Sequence, residues 1–291
     1  MFKAKKMEVC AVCLLVVFLL FVGGCTVEMP EIVPKAPVAE GEIRIMSFNI
    51  RCAEFTRARK IAVPQLVLEY LPDSVGMQEC TYNWFKQLTS TLDNYAFIGV
   101  GRDTGDRSSR CGEMSPILYR TDKYNLIDSG TFWLSETPEE VSYGWDAACR
   151  RICTWVILEN IQTGEQYVHI NTHMDHKGEE ARQNATAMIT EFADTFDLPT
   201  VITGDFNFDK GCDKYNHILE AGYFDTAELT ENTDTGRTYH AYDGGLEGLP
   251  IDFIFTDSEE TAVSAFKIIR DQYDEAYPSD HYPVYADLIF G

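Results

Sequence analysis

The chain has 291 residues, 45% of them hydrophobic, and carries 24 Lys and Arg against 46 Asp and Glu, a formal net charge of −22. Duplex nucleic acid is held mainly by cationic side chains that neutralise phosphates, so this balance excludes broad, non-specific DNA binding and leaves only a local basic or metal-bearing cleft. The cysteines beyond residue 25 form no C-x-x-C pair, and no ligand spacing suggests a structural zinc module.

In chain order, Lys3, Lys5 and Lys6 precede an apolar run from Val9 to Val22 and then Gly23-Gly24-Cys25. A basic start, a short apolar core and small residues before a cut site predict a secretory signal over residues 1–24. The run is shorter than the ~20 residues that span a bilayer. Val22-Gly23-Gly24-Cys25 resembles a bacterial lipobox, which implies that Cys25 is lipidated and that the protein is an exported lipoprotein held on a membrane of the cell envelope. Residues 25–41, with Pro30, Pro34 and Pro37, are the expected tether, and 42–291 read as a single domain without repeats or linkers. Cys52, Cys80, Cys111, Cys149, Cys153 and Cys212 remain, open both to disulfides and to buried free thiols.

Ile43–Asn49 alternates and predicts the first strand. Pro64–Leu71 predicts a helix with proline in its first turn, followed by a buried strand over Ser74–Glu79. Phe85, Leu88 and Leu92 set a helix over Tyr82–Leu92. Strands follow at Tyr95–Gly99, Pro116–Tyr119, Trp155–Leu158 and Tyr167–Asn171. A helix over Glu179–Thr195 then leads to the strand Thr200–Thr203 and the helix Asp213–Leu219. The last third gives strands at Ile251–Thr256, Ala262–Ile269 and Val284–Phe290. Gly130–Asp146 reads as a long acidic loop that shapes a cleft against polyanions. Many strands with helices between them predict two stacked sheets with helices outside.

The chemistry sits at strand ends. Asn49 and Glu79 each close an apolar run, where a polar side chain faces a cleft rather than the core. A hard cation, Mg²⁺ or its substitute Mn²⁺, takes oxygen ligands and needs few protein carboxylates, so Glu79 with the Asn49 amide is the candidate metal site. In Gly204-Asp205-Phe206-Asn207 the two polar side chains share a face. Asp205 is the candidate to orient or deprotonate an attacking water, and Asn207 to fix the water or a phosphate oxygen. The same tetrapeptide also suits a plain Asx-turn. His281 presents an imidazole to a phosphate oxygen and needs a carboxylate to hold it, while Asp280 faces the metal region. His173 ends a strand and is placed to stabilise or protonate the leaving group. Glu113, Arg151, Asp175, His176 and Arg182 are candidate substrate contacts. The two arginines either clamp a second anionic group or pair with acidic neighbours. Trp133, Trp145 and Trp155 either stack on substrate or pack in the core.

Taken together, Ser47-Phe48-Asn49-Ile50, Gln78-Glu79, Ser115–Arg120, Asn171-Thr172-His173, Gly204–Asn207, Ile251–Phe255 and Ser279–Val284 resemble, in identity, order and spacing, the endonuclease/exonuclease/phosphatase superfamily. This is the fold of deoxyribonuclease I, apurinic endonucleases, neutral sphingomyelinases and inositol polyphosphate 5-phosphatases. The likeness spans about Ile43 to Ile289. It implies an α/β fold, a four-layered α/β/β/α sandwich with mixed, mostly antiparallel sheets and the site at one end. It also implies that Asp252 is the carboxylate behind His281, and it places Tyr119 at the family's tyrosine position.

The expected activity is hydrolysis of a phosphodiester or phosphomonoester by in-line attack of water, with Mg²⁺. Acidic charge and the lack of a basic run favour a phosphorylated small molecule or lipid headgroup over nucleic acid as substrate. A nuclease acting on DNA or RNA is the alternative, and a catalytically silent binding lipoprotein is the alternative of another class. The protein is expected to be a monomer attached to the membrane through its N-terminal lipid.

Overall fold

The structure, a computed structural model, describes residues 29–35 and 37–290; the signal segment and Cys25 lie outside the described residues. Among the described residues no helix is long and apolar enough to cross a membrane. Part of the expected tether rests on the domain. Lys35 pairs with Glu69 and Asp271 at 2.8 Å each, and its backbone N–H donates to the Glu69 carbonyl.

Among the described residues twelve strands form two six-stranded sheets. The first contains β1 (Ile43–Asn49), β2 (Ser74–Gln78), β3 (Tyr95–Ile98), β4 (Ile117–Arg120), β11 (Ala262–Ile268) and β12 (Val284–Ile289), in the order β11-β12-β1-β2-β4-β3. The second contains β5 (Tyr124–Trp133), β6 (Ile152–Asn160), β7 (Gln166–His173), β8 (Thr200–Asp205), β9 (Phe224–Asp225) and β10 (Asp252–Thr256), in the order β5-β6-β7-β8-β10-β9. β1–β2 and β7–β8 run parallel, and the other neighbours run antiparallel. Helices α1 (Arg57–Tyr70) and α2 (Tyr82–Thr91) cover the first sheet; α3 (Glu179–Ala193) and α4 (Asp213–Glu220) cover the second.

Strand alternation assigns each residue to a layer. Met46, Phe48, Val75 and Met77 face Val63, Leu66, Trp84 and Leu88 of the outer helices. Val168, Ile170, Ile202, Phe253 and Phe255 face Ile189, Tyr215 and Ile218 on the other side. The alternate residues fill the space between the sheets, and their polarity changes along it. At one end Ile45, Val156, Val201, Ile254 and Leu288 make an apolar core. In the middle, buried polar side chains link the sheets. Tyr167 Oη donates to Ser74 Oγ (3.0 Å), Ser74 meets His169 Nδ1 (2.8 Å), His169 Nε2 meets Thr203 Oγ1 (2.8 Å), and Thr203 donates to Asn171 Oδ1 (3.1 Å). One proton order satisfies the whole chain: His169 neutral, with its hydrogen on Nε2. Burial pushes His169 down to about 3, which keeps it neutral. Gly76 lies against this layer because a Cβ there would stand 2.1 Å from Thr203 Oγ1. At the far end the same faces carry Asn49, His173, Asp205 and Asp252.

Three expectations need correction. Pro64 lies inside α1 rather than in its first turn, because the helix starts at the Thr56 cap, whose side chain accepts from Arg59 N. The Lys60 carbonyl that Pro64 cannot serve instead accepts from Gln87 Nε2 of α2 at 3.1 Å. The loop expected from Gly130 begins only after β5, whose pairing with β6 is interrupted by an irregularity between Leu126 and Asp128. Its Asp146 does not line the cleft but caps α3, accepting from the N–H groups of Glu179, Glu180 and Ala181. The six described cysteines are free thiols.

Candidate active site

Strand register brings the polar ends together. On the second sheet His173 stands opposite Asp205, and Asp205 opposite Asp252, so three adjacent strands deliver one row of side chains to one face. From the first sheet, Asn49 ends β1 and Glu79 follows β2, the latter in the left-handed region at φ 60°. That backbone is costly for a non-glycine residue, and such strain concentrates at functional sites. Asn207, with φ 52°, turns the chain after β8.

These residues converge on one atom. Asp205 Oδ2 accepts from Asn49 Nδ2 at 2.9 Å and lies 3.5 Å from His173 Nε2 and 3.7 Å from His281 Nε2. Its other oxygen accepts from Asn207 N at 3.0 Å. His281 Nδ1 is held by Asp252 Oδ2 at 2.9 Å. The cluster is buried, and burial decides its protonation. Desolvation pulls His281 down, but the Asp252 and Asp205 carboxylates outweigh it and hold the imidazole protonated. Desolvation, then the Asp252 charge, pushes Asp205 up into the range where it can exchange a proton near neutral pH. Burial and the nearby Arg151 push His173 well down, so it is neutral. One cluster thus holds a cationic imidazole, a neutral imidazole and a proton-accepting carboxylate.

Glu79 Oε1 accepts from Asn49 Nδ2 (3.1 Å) and Oε2 from Cys52 N (2.8 Å). Burial pushes the Glu79 carboxyl up, but these hydrogen bonds outweigh it and keep the group ionised. Burial and the Glu79 charge push the adjacent Cys52 thiol up to about 12, so no thiolate competes. An ionised carboxylate with no soft ligand suits a hard divalent cation, and the Asn49 amide, whose Nδ2 faces Glu79 while its Oδ1 accepts from Arg51 N, would join it by turning its oxygen to that side. Asp205, Asp252 and His281 also bring one donor atom each within 4.8 Å, but His281 Nδ1 is already spent on Asp252.

A cleft of about 320 Å³ opens over the cluster, lined by Glu79, Glu113, Arg151, His173, His176, Asp205, Asn207, Asp280 and His281. Arg51, Arg102, Cys149 and Tyr239 line it too and were not anticipated. Arg51 had a signal, standing two residues after Asn49; the other three lie on connecting segments that carry no motif. Asp280 does not stand alone beside Glu79: its Oδ2 is ion-paired with Arg51. Arg151 lies 3.6 Å from Asp175 and 3.3 Å from His176 Nδ1.

Three expected contacts fall elsewhere. Tyr119 is buried in the apolar core between the sheets, because its alternation on β4 aims it inward beside Ile117 and Tyr124 rather than at the cleft. Asp175 spends its carboxylate on the N–H groups of Cys149, Lys177 and Gly178, and so shapes the loop that carries His176. Arg182 donates to the Asp175 carbonyl at 2.6 Å and pairs with Glu179. Two of the three tryptophans pack: Trp155 against Phe192 and Phe196, and Trp133 with its indole N–H on the Arg102 carbonyl.

Residues 46–281 match the endonuclease/exonuclease/phosphatase family. The chain belongs to that family. Its members hydrolyse phosphoester bonds and depend on a divalent metal. Among solved structures, a family protein from Bacteroides vulgatus is 37% identical, with a TM-score of 0.78 over 85% of this chain and 98% of that one. A mannosyl-6-phosphatase from Bacteroides thetaiotaomicron is 33% identical, with a TM-score of 0.79 over 85% of this chain and 100% of that one. The human Nocturnin catalytic domain, 17% identical with a TM-score of 0.67 over 87% and 96% of the two chains, shares the fold. No protein with a curated description matches the chain.

Proposed function

We propose that this family member is a Mg²⁺-dependent phosphoesterase that hydrolyses a small phosphorylated molecule by in-line attack of water, and that lipid on Cys25 anchors it to a membrane. The observation that carries the reaction is the convergence of Asn49, His173 and His281 on Asp205, with Asp252 behind His281. Asp205 orients the attacking water and takes its proton. His281, kept cationic by two carboxylates, faces the phosphoryl oxygens whose charge grows in the transition state. Neutral His173 offers a hydrogen bond toward the leaving-group side. Glu79 and the Asn49 amide would hold the cation, which when bound supplies positive charge against the phosphoryl oxygens. Arg51, Arg102 and Arg151 line the same cleft as cationic donors, each beside an acid: Asp280, Glu113 and Asp175.

A small substrate is favoured over a polymer because three arginines line the cleft on a chain of net charge −22 whose sequence offers no basic run to follow a strand. The 33% identical mannosyl-6-phosphatase supports a phosphomonoester. The test is turnover of phosphomonoesters, phosphodiesters, and single-stranded and duplex DNA with Mg²⁺ and with Mn²⁺. The expected result is phosphate release from monoesters. Preferred cleavage of DNA would overturn the small-substrate reading, and inactivity on every class would overturn the reaction.

A further inference from the structure

β6 and β7 pair antiparallel with Cys153 opposite Thr172, and continuing that register outward brings Cys149 level with His176. Asp175 fastens the two connecting segments there. Its Oδ2 accepts from Cys149 N at 3.0 Å, and its Oδ1 from Lys177 N and Gly178 N at 2.9 and 2.7 Å. Gly178 lets the segments press together, because a Cβ on it would stand 2.6 Å from Asp146 Oδ1 and 3.0 Å from Ala147 Cα. Cys149, Asp175 and His176 thereby bring a sulfur, a carboxylate oxygen and a ring nitrogen within 4.8 Å of one another, where Cys149 and His176 line the wall of the cleft. We infer that these three residues form a second cation site, for a borderline-soft divalent metal of the zinc class, and, resting on the phosphoesterase reading, that metal bound there inhibits the enzyme.

The donor set selects the metal. Mg²⁺ takes oxygen ligands, whereas sulfur, imidazole and carboxylate together are ligands of zinc. The Glu79 site has the opposite preference, since the thiol beside it is held protonated. Ligand atoms around a tetrahedral zinc lie about 3.5 Å apart, so the triad has to close by only about 1 Å. His176 is exposed and Cys149 half-buried, which leaves both side chains room to make that move. Asp175 is already set. Burial opposes its charge, but the backbone N–H groups outweigh burial and keep it ionised. Each carboxylate oxygen has two lone pairs, so Oδ2 can take a cation while these bonds fix its direction. Binding replaces the Cys149 S–H bond by a sulfur–metal bond and releases the proton to solvent; no electron changes hands.

Arg151 now stands beside these groups and fits them poorly. Its Nε lies 3.6 Å from Asp175 Oδ2, too far for a hydrogen bond, and is buried without a partner. Its Nη2 lies 3.3 Å from His176 Nδ1. The surroundings favour a cation without holding this one closely. A metal that takes Asp175 and His176 removes both contacts from Arg151. The thiolate formed and the Asp175 carboxylate cancel the ion's two charges, so Arg151 meets no net repulsion. Its displacement from the cleft wall is the expected route of inhibition.

The test is titration of the unaltered chain with Co²⁺ at saturating Mg²⁺, followed by the near-ultraviolet charge-transfer absorption of thiolate-bound cobalt. The expected result is that band at stoichiometric cobalt, its removal by Zn²⁺, and its loss in Cys149→Ser but not in Cys52→Ser or Cys212→Ser. His176→Ala should weaken cobalt binding by more than ~10-fold, with circular dichroism confirming that each variant is folded. No band in the unaltered chain, a band that survives Cys149→Ser, or unchanged affinity in His176→Ala would overturn the site. Zn²⁺ at saturating Mg²⁺ should also lower phosphomonoester turnover by ~10-fold or more in the unaltered chain and by less than about twofold in Cys149→Ser, each rate referred to the same chain without zinc. Equal inhibition of both chains would place zinc at the Glu79 site and overturn the inhibitory role. If the unaltered chain turns over no phosphoester, the phosphoesterase reading fails and the inhibitory role with it, while the cobalt band still decides the site.

Discussion

Asp205 is the residue on which the site turns, since side chains from β1, from β7 and from the segment before β12 aim at one of its oxygens. Asp205→Asn and His281→Ala should each lower kcat by ~10²-fold or more with little change in KM, because both groups act on the transition state. The double variant should fall well short of the product of the two losses. Asp252→Asn should mimic a milder loss of His281. Steady-state kinetics with circular dichroism as a folding control decides this, and full activity in either folded single variant would sink the assignment. Glu79→Gln is a near-isostere that removes the ionised carboxylate beside Asn49. Mg²⁺ affinity should weaken by more than ~10-fold, since even outer partners of a metal cost that much. An unchanged Mg²⁺ titration would move the cation elsewhere.

Between the sheets, the polar chain through His169 has a thermodynamic signature. His169 is neutral when folded, with its pKa depressed to about 3, and titrates near its usual value when the chain unfolds. The stability it protects is therefore present above about pH 6.5 and is lost as pH falls toward 3, by up to about 1.4 kcal/mol per pH unit. Urea midpoints between pH 7 and pH 4.5 should drop less steeply in His169→Gln than in the unaltered chain; parallel slopes would show that other groups dominate. In the same layer Gly76→Ala drives a Cβ into Thr203 and Asn171. A loss of about 3 kcal/mol, the upper end for overpacking, should appear in the denaturation midpoint. What could be read from sequence follows from locality. Ile43–Asn49 and Thr200–Asp205 show themselves because a buried strand must alternate, and a polar residue at its end is conspicuous. β5 hides because its pairing is irregular and only two of its ten residues are fully buried. The start of α1 hides because the carbonyl left by Pro64 is served by Gln87, a partner from another helix. Arg102 escapes because a loop's path is set by contacts such as Trp133 that no local pattern encodes.

On the scale of the whole protein, the lipid proposed on Cys25 would decide where the cleft works. If Cys25 carries lipid, the unaltered protein should sediment with membranes and Cys25→Ser should be released into the soluble fraction. Equal solubility of both would remove the anchor from the proposal. A different consequence follows from the pairing of β1 with β12. Ile43–Ser47 lie against Leu288–Val284, and Arg44 of β1 holds Asp287 of β12 through two hydrogen bonds at 2.7 and 2.6 Å. The first sheet therefore stays open until the last strand exists. A chain threaded through a membrane N-terminus first, or still leaving the ribosome, has β7, β8 and β10 available while β1 lacks its partner. Asn49, Glu79 and His281 are then fixed against Asp205 only once the segment carrying His281 and β12 has arrived. The chain would have to be made through Ile289 before it could act on a phosphoester, so a fragment lacking β12 would be inactive however well its second sheet had formed.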